Sequence, residues 1–563
     1  METSHDTSGT MGDRVLGLLV GDDADARAPI FGVPGGQTLP LYASAAASGA
    51  CHVLVRDERN AACAADAYAR VTGRVGLCDA TVGPGATNLV SGLAEAHASS
   101  VPVIAVVADI RRDVEHLRRR SVVSQAVDQA ALLAPVSKWV ARVQTPDSVD
   151  EVIDQAFRVA TTGRPGPVVV EIPEDIFLGT RGEGRHRTIT DADRRYPRFR
   201  SHPGPVDVDR IASLITGASR PVVLAGGGTV WSGASHAIER LATNHGLPVV
   251  TTLNGKGAID ERHPLAAGVV GGFGSVRGNL CVTSADVVVA IGTKFDQLSS
   301  HVWRLPRPDQ TVVHVDVDGE EIGRAIAVTV GVVADAAAFA DALDRALGPW
   351  SATTTWIDEI APSPPESTVR DDRIDPVDVV TALDDLLGPD DLLVCDASLS
   401  SGWAAAHFRV KTSGVGMLAP RGLAGLGWAP GAVLGARLGR PTGKVVMLTG
   451  DGAWGYGMGE LETSTRLGLD ITYVVLNNAA LGWIRHAEDA MKLRSRSVFG
   501  EVDFAASARG LGADACVVRA GDDVHAMLAV ALERGAPSLV DVRSSATASP
   551  VVRFGSVRTS PYL

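Results

Sequence analysis

The sequence contains no run of about 18 apolar residues, the length that a membrane-spanning helix needs. Its first residues, METSHDTSGTMGDR, are polar and lack the apolar stretch of a signal peptide, so we expect a cytoplasmic protein that contacts no membrane. Lys and Arg total 52 against 65 Asp and Glu, and the net charge of -13 argues against nucleic acid as a partner. The six cysteines never occur as CxxC, which argues against a zinc site or a redox pair.

The sequence is rich in short, continuous, β-branched runs, which alanine-rich stretches of helical character separate. Because these runs do not alternate with polar residues, they predict strands buried on both faces of parallel sheets. The predicted fold class is therefore α/β, built from doubly wound units. The clearest runs are Val103–Val107, Val168–Ile172, Val222–Ala225, Val287–Ile291, Val312–Val317, Leu392–Cys395, Val445–Leu448 and Ile471–Leu476.

The length of 563 residues predicts three or four domains, at roughly 150 residues per domain. Two stretches are predicted linkers: residues 181–205 are rich in charge, Gly and Pro, and residues 351–376 are rich in Ser, Thr and Pro before a charged run. They leave three predicted domains, residues 1–185, 203–350 and 373–563. The sequence has no exact repeat, so it leaves open whether the first and third domains share a fold.

A candidate metal site follows two neighbouring strands of the third domain. One strand leads into Thr-Gly-Asp-Gly with Asp451, and the next leads into Asn-Asn with Asn478, one βαβ step later. The carboxyl ends of neighbouring parallel strands meet at one edge of a sheet, where open α/β folds bind ligands. Oxygen atoms of Asp451, Asn478 and the Ala480 carbonyl are suitable ligands for Mg2+, which often shares its coordination shell with phosphates.

The residues around Asp451 also suit a diphosphate. Gly450, Gly452 and Ala453 let backbone N–H groups approach phosphate oxygens at the start of a helix. A Gly-Asp-Gly turn alone is a common tight connection, whereas the same turn followed one βαβ step later by Asn-Asn is far more specific. This combination resembles the signature of thiamine diphosphate enzymes.

A second candidate residue, Glu58, follows the short apolar strand Val53–Val55 and opens an alanine-rich helix. Taken alone it is an ordinary acidic residue at a helix N-terminus. Its context is more specific, because Phe-Gly-Val-Pro-Gly-Gly precedes it, with Pro34 and Gly35, and Val-Gly-Pro-Gly-Ala-Thr-Asn follows it, with Pro84 and Asn88. With these motifs the chain resembles the acetolactate synthase-like branch of thiamine diphosphate enzymes, in the order of pyrimidine, central and diphosphate domains.

The resemblance implies a role for several residues. Glu58 would hydrogen-bond the aminopyrimidine ring of thiamine diphosphate and switch the cofactor on. Gln125 would lie close to the reacting centre, and Leu426 would replace a methionine that holds the cofactor in its bent form. The resemblance also implies a homodimer or homotetramer with active sites at the subunit interface.

The central domain carries a possible flavin motif. Gly226, Gly227 and Gly228 follow a strand, Thr252 lies in a Thr-Thr-Leu-Asn-Gly-Lys-Gly segment, and Asp316 ends a later strand. Glycines admit a pyrophosphate and a strand-end aspartate accepts a ribose hydroxyl. The resemblance of this domain to the flavin-binding domain of acetolactate synthases implies that the ligand is FAD. Lys294 and Gly272-Phe273 depart from the Arg and Met-His of the family, and another nucleotide, or none, is the alternative.

The predicted activity is that of a carboligase, which decarboxylates pyruvate or a similar small-molecule 2-keto acid and joins the remainder to a second carbonyl. The alternatives are a 2-keto acid decarboxylase or lyase, a glyoxylate carboligase-like enzyme and a non-catalytic regulatory relative. Residues 396–403 lack the Gly-Gln-His-Gln of acetolactate synthases, and Ala487 replaces a tryptophan that shapes acceptor choice. The absence of the adjacent His pair of pyruvate decarboxylase-type enzymes favours carboligation.

Overall fold

The computed structural model describes residues 9–21, 28–119, 122–180, 188–352, 356–360, 369, 371–493 and 496–550. Parts of the two predicted linkers, and with them residue 185, lie outside these ranges. Within them, no helix combines the length and the apolar character that crossing a membrane would require. Three six-stranded sheets with helices between the strands form the fold, and the paired strands are parallel, which confirms the predicted fold class.

The first sheet has the strand order β2-β1-β3-β4-β6-β5. Its strands are β1 Ile30–Val33, β2 His52–Leu54, β3 Gly76–Ala80, β4 Val103–Asp109, β5 Trp139–Arg142 and β6 Val168–Pro173. The helices of this region are α1 Met11–Val20, α2 Leu39–Ser48, α3 Glu58–Thr72, α4 Pro84–Ala98, α5 Gln129–Leu133, α6 Val149–Thr161 and α7 Glu174–Phe177. Every residue of β3, β4 and β6 is buried; β4 and β6 correspond to predicted apolar runs, whereas β3, which contains Asp79, does not.

The central sheet has the order β12-β11-β10-β7-β8-β9, which is the strand order of the dinucleotide-binding Rossmann fold. Its strands are β7 Pro221–Ala225, β8 Val249–Thr251, β9 Ala266–Val269, β10 Val287–Ile291, β11 Thr311–Asp316 and β12 Val330–Val333. Its helices are α8 Pro205–Thr216, α9 Gly227–Trp231, α10 Ser235–His245, α11 Val276–Ser284 and α12 Ala336–Leu347.

The third sheet, β14-β13-β15-β16-β18-β17, repeats the strand order of the first. Its strands are β13 Leu392–Cys395, β14 Met417–Leu418, β15 Val445–Gly450, β16 Thr472–Leu476, β17 Asp514–Val518 and β18 Ser538–Val542. The helices are α13 Pro376–Leu386, α14 Leu399–His407, α15 Ala429–Gly439, α16 Asp451–Trp454, α17 Glu460–Leu467, α18 Gly482–Met491, α19 Phe504–Gly510 and α20 Val524–Leu532. The first and third regions therefore share one topology, which the sequence left open.

The chain divides into two compact units. The first comprises residues 1–199, 422–441 and 457–467, and the second comprises residues 200–421, 442–456 and 468–563. Helices α15 and α17 thus belong to the unit that contains the first sheet, whereas the central and third sheets belong to the second unit. The predicted boundaries of three contiguous domains remain a prediction.

The long helix α3 is the centre of the first unit. Asp57 caps its N-terminus by accepting a hydrogen bond from the Arg59 N–H at 2.8 Å, and Gly73 ends it in the left-handed conformation. Most of its residues are buried, and alanine predominates because neighbouring backbones come close. A Cβ at Gly431 of α15, for example, would lie 2.6 Å from the Asn60 carbonyl oxygen.

Candidate active site

Glu58 is the first residue of α3 and is only 7% exposed. The Asn88 side chain, on α4, donates a hydrogen bond from Nδ2 to Glu58 Oε2 at 2.9 Å. Gly85 adds room at the same place, since a Cβ there would lie 3.2 Å from Glu58 Oε1. The structure therefore brings together two predicted site residues, and Asn88 orients the carboxyl group.

Glycines let the loops after β1 and β3 come close to their neighbours. Gly35 follows β1, and a Cβ there would overlap Thr81 Oγ1 at the end of β3. Gly83 has φ 67° and ψ -101°, a conformation almost restricted to glycine, and a Cβ there would overlap the Gln125 carbonyl oxygen. Pro34, directly after β1, and Pro84, the first residue of α4, are both exposed.

The predicted residue Gln125 is exposed and has φ 63°, a strained value for a side chain of its size. Its neighbour Gln129, which sequence reasoning missed, is buried and holds this loop in place. Gln129 Oε1 accepts a hydrogen bond from the Gly83 N–H at 3.2 Å, and Nε2 donates to the Ala108 carbonyl at 2.8 Å. The Gln125 loop is therefore fixed against the glycine turn that precedes α4.

Leu426 belongs to the first unit, in the segment that precedes α15. It lines a small cleft together with residues of α3 and α4. The other lining residues are Arg59, Cys63, Ser91, Glu95, Gly425, Gly427 and Trp428. The contact of Leu426 with the cofactor stays a prediction.

The predicted metal ligands Asp451 and Asn478 lie at one edge of the third sheet. β15 and β16 are parallel neighbours with Gly450 opposite Leu476, and the two ligands follow these strands within two residues. Asp451 Oδ1 accepts a hydrogen bond from the Gly452 N–H at 2.8 Å, and Asn478 Oδ1 accepts one from the Ala480 N–H at 3.0 Å. The juxtaposition expected from the βαβ spacing is present.

The surroundings of Asp451 fit a bound cation. Burial raises the pKa of Asp451 to about 6, and hydrogen bonds from the N–H groups of Gly452, Ala479 and Ala480 oppose this rise. In the part of the chain that the structure describes, no arginine or lysine forms an ion pair with it. A buried carboxylate that is satisfied by neutral donors gains from a cation, so Mg2+ suits this position.

The residues next to Asp451 are of two kinds, those beside open space and those packed against neighbours. A Cβ at Gly450 would meet nothing within 4 Å, so the space beside it is open to a ligand. A Cβ at Gly452 would instead lie 2.8 Å from Leu481 Cδ2, and Ala453 is buried in α16, so both are also required for packing. No group of three or more His, Cys, Asp or Glu side chains suited to a metal occurs among the described residues. Diphosphate and water oxygens would therefore have to complete the coordination of Mg2+.

The central sheet places the predicted flavin residues at its strand ends. A Cβ at Gly228 would lie 2.8 Å from Gly292 Cα and a Cβ at Gly226 would overlap the Gly292 carbonyl, so both glycines serve backbone packing. Gly227 opens the short helix α9, and Asp316 ends β11. Thr252 lines a small cleft that it shares with Asn254, Phe273, Asp296 and Arg421.

Comparisons with known proteins identify the relatives of this chain. Models of the thiamine pyrophosphate enzyme N-terminal TPP binding, central and C-terminal TPP binding domains match residues 25–132, 208–343 and 396–542. A probable acetolactate synthase large subunit of Methanocaldococcus jannaschii is 33% identical over 94% of this chain and 92% of its own length. The acetolactate synthase large subunit of Parasynechococcus marenigrum is 33% identical over 91% of this chain and 84% of its own length.

The corresponding large subunit of Corynebacterium glutamicum is 32% identical over 94% of this chain and 86% of its own length. The chain therefore belongs to the thiamine pyrophosphate enzyme family, in its acetolactate synthase-like branch.

Proposed function

We propose that this protein is a thiamine diphosphate- and Mg2+-dependent carboligase that acts on pyruvate or a similar 2-keto acid. In the reaction the 2-keto acid loses CO2, and the remaining acyl group is joined to the carbonyl carbon of a second substrate. The observation that carries the proposal is the buried Glu58 carboxyl, oriented by Asn88 at 2.9 Å, in a chain whose relatives are named acetolactate synthases.

Each predicted residue has a defined task in this proposal. When bound, thiamine diphosphate supplies a carbon nucleophile and accepts the electrons that CO2 leaves behind. Glu58 exchanges a proton with the aminopyrimidine ring, and Asn88 keeps its carboxyl group in one orientation. Asp451, Asn478 and the Ala480 carbonyl hold Mg2+, while the open space beside Gly450 admits the diphosphate.

The experiment that tests the proposal identifies the products. The purified protein is incubated with thiamine diphosphate, Mg2+ and, in separate reactions, pyruvate, glyoxylate or a larger 2-keto acid. The products are identified by mass spectrometry, with the Glu58→Gln variant as the matched control. Acetolactate is the expected product. Acetaldehyde alone would make the protein a decarboxylase, turnover of glyoxylate alone a glyoxylate carboligase, and no turnover of any 2-keto acid would overturn the proposal.

The proposal also includes FAD in the central domain. The Rossmann strand order, the Gly226–Gly228 turn at the end of β7 and Asp316 at the end of β11 are the features that a dinucleotide requires. Thr252 and Asn254 line the adjoining cleft and would contact the ligand. A flavin absorbance band in the purified protein is the expected observation, and its absence after reconstitution with FAD would contradict this part.

The last part of the proposal concerns assembly as a homodimer or homotetramer, in which one subunit supplies Glu58 and another supplies Asp451. If this is correct, mixing the inactive Glu58→Gln and Asp451→Asn variants restores activity, because mixed dimers contain one intact site. If the mixed variants exchanged subunits and the mixture stayed inactive, the proposal that two subunits share each active site would be contradicted.

A further inference from the structure

We propose that Glu95 is a positioning residue: its buried carboxylate fixes the segment Gly422–Leu426 and thereby sets the place of the Leu426 side chain against the cofactor. This inference rests on the proposed function, since it assumes that thiamine diphosphate lies against Leu426. Glu95 lies near the C-terminal end of α4, in a stretch whose alanine-rich sequence predicts only an ordinary helix.

The carboxylate of Glu95 binds three successive backbone N–H groups of this segment. Its Oε1 accepts a hydrogen bond from Gly422 at 2.9 Å, and its Oε2 accepts from Leu423 at 2.8 Å and from Ala424 at 2.9 Å. The Ser99 hydroxyl also donates to Oε1, at 2.6 Å. Glu95 is only 2% exposed, so these charge-assisted hydrogen bonds are shielded from water and hold the segment firmly.

Trp428, two residues beyond this segment, is held by a second buried carboxylate. Asp66, on α3, accepts a hydrogen bond from the Trp428 indole N–H at 2.8 Å. Arg70 lies between the two acids, with Nε 2.8 Å from Asp66 Oδ1 and Nη2 3.4 Å from Glu95 Oε1. Leu426 therefore lies between two fixed points, the N–H groups of Gly422–Ala424 and the Trp428 indole.

The conformation of the segment explains why it needs a strong acceptor. Ala424 has φ 60°, in the left-handed region that alanine occupies only at a cost. Its N–H is one of the three that Glu95 binds, so the carboxylate compensates for the strain at the residue where it occurs. Glu95 and Leu426 also line the same cleft, so a loosened segment would move Leu426 within it.

The first experiment replaces Glu95 by Gln, which keeps the size of the side chain and removes its charge. The readout is the exchange of the C2 proton of bound thiamine diphosphate for deuterium, followed by NMR, because it reports cofactor activation without any substrate. We expect exchange to slow by about ten- to a hundred-fold, as misplacement of a positioning contact does, while the affinity for the cofactor changes by less than about three-fold.

Asp335→Asn is the matched control. Asp335 is also 2% exposed and accepts hydrogen bonds from two backbone N–H groups, those of Ala337 and Ala338, and from Arg200, but it lies in the central domain. We expect this variant to lose folding stability and keep normal exchange. Equal loss of exchange in both variants would show that Glu95 acts only through stability and would overturn the inference.

A double-mutant cycle with Leu426→Ala tests the route of the effect. If Glu95 acts through Leu426, the double variant exchanges about as fast as Leu426→Ala alone, whereas independent effects that multiply would overturn the inference.

A second variant is used if Glu95→Gln folds poorly. Adding Ala424→Gly relieves the strain at residue 424, and we expect it to restore folding but not C2 exchange. Recovery of both folding and exchange would contradict a positioning role for Glu95. If the wild-type protein exchanged the C2 proton rapidly but turned over no 2-keto acid, the proposed function would be wrong. The effect of Glu95 on C2 exchange would still be measurable in that case.

Discussion

The first and third sheets have the same strand order, but the acids at their strand ends have different hydrogen-bond partners. Asp109 ends β4 in the first sheet, and the Arg118 guanidinium donates to both of its oxygens, at 2.9 and 2.7 Å. Arg142 adds a further ion pair with Asp109, at 2.9 Å. Asp451 follows β15 in the third sheet and accepts hydrogen bonds from backbone N–H groups instead.

The difference shows that topology determines where an acid lies and its neighbours determine its role. A carboxylate that two guanidinium groups already neutralise gains little from a metal ion, so Asp109 is structural. A carboxylate held by neutral donors still attracts a cation, so Asp451 is suited to bind Mg2+. The first sheet instead contributes Glu58, whose partner in the structure is the neutral Asn88 amide.

The largest effect on turnover is expected when Glu58 is replaced, because its proposed role differs from that of an ordinary acid at the start of a helix. We expect Glu58→Gln to lower turnover by roughly a thousand-fold, because the proton exchange with the cofactor ring is lost. Glu151, an exposed acid in the first turn of α6, is the matched control, and Glu151→Gln should leave turnover unchanged. Steady-state kinetics check both, and similar activity in the two variants would remove the proposed role of Glu58.

A second prediction concerns Glu171, on β6 of the first sheet. Burial, followed by the nearby charge of Asp109, raises its pKa from 4.5 to about 7. Below pH 4.5 both the folded and the unfolded chain hold the proton; between pH 4.5 and 7 only the folded chain does, so stability falls as the pH rises. Relative to Glu171→Gln, the wild type should lose about 3 kcal/mol across this range.

Urea unfolding of the cofactor-free protein at a series of pH values measures this difference. Above about pH 7 the two proteins should differ by a constant amount, because Glu171 is then ionised in both states. A difference that does not change with pH, or that grows in favour of the wild type, would show that Glu171 is not held in its neutral form.

The smallest predicted effect lies where the chain leaves β13. In the first sheet β1 is followed by Pro34 and Gly35, whereas in the third sheet Ser398 takes φ 70° and ψ -140°, a conformation suited to glycine. We expect Ser398→Gly to raise the free energy of unfolding by about 1 kcal/mol. Ser398→Ala keeps the Cβ and should bring no gain, and a lower melting temperature in the glycine variant would contradict the strain.

The eight clearest apolar runs of the sequence all correspond to inner strands, whereas the inner strands β1, β3, β8 and β18 are not among these runs. The eight apolar runs correspond to β4, β6, β7, β10, β11, β13, β15 and β16, because strands buried on both faces are mostly apolar, although Glu171 interrupts β6 and His314 interrupts β11. The edge strands β5 and β17 are partly exposed, and β14 has only two residues, so they carry no continuous apolar run. Their composition therefore does not distinguish them from loops.

The site was predictable where topology alone brings residues together. Asp451 and Asn478 follow neighbouring strands, so their meeting could be deduced from one βαβ step. The contacts of Glu95 were not predictable, because it binds Gly422, 327 residues later in the chain. Gln129 was missed for a similar reason, since its polar side chain indicated nothing of its burial against Gly83.

One measurement tests most directly whether the third sheet anchors the cofactor and the first sheet activates it. It is the affinity of two variants for thiamine diphosphate in the presence of Mg2+, determined by calorimetry. We expect Asp451→Asn to weaken binding by about a hundred-fold or more, because a metal ligand is lost, and Glu58→Gln to leave it within about three-fold. Equal affinities in the two variants, or weaker binding by Glu58→Gln, would contradict the assignment of anchoring to the third sheet and activation to the first.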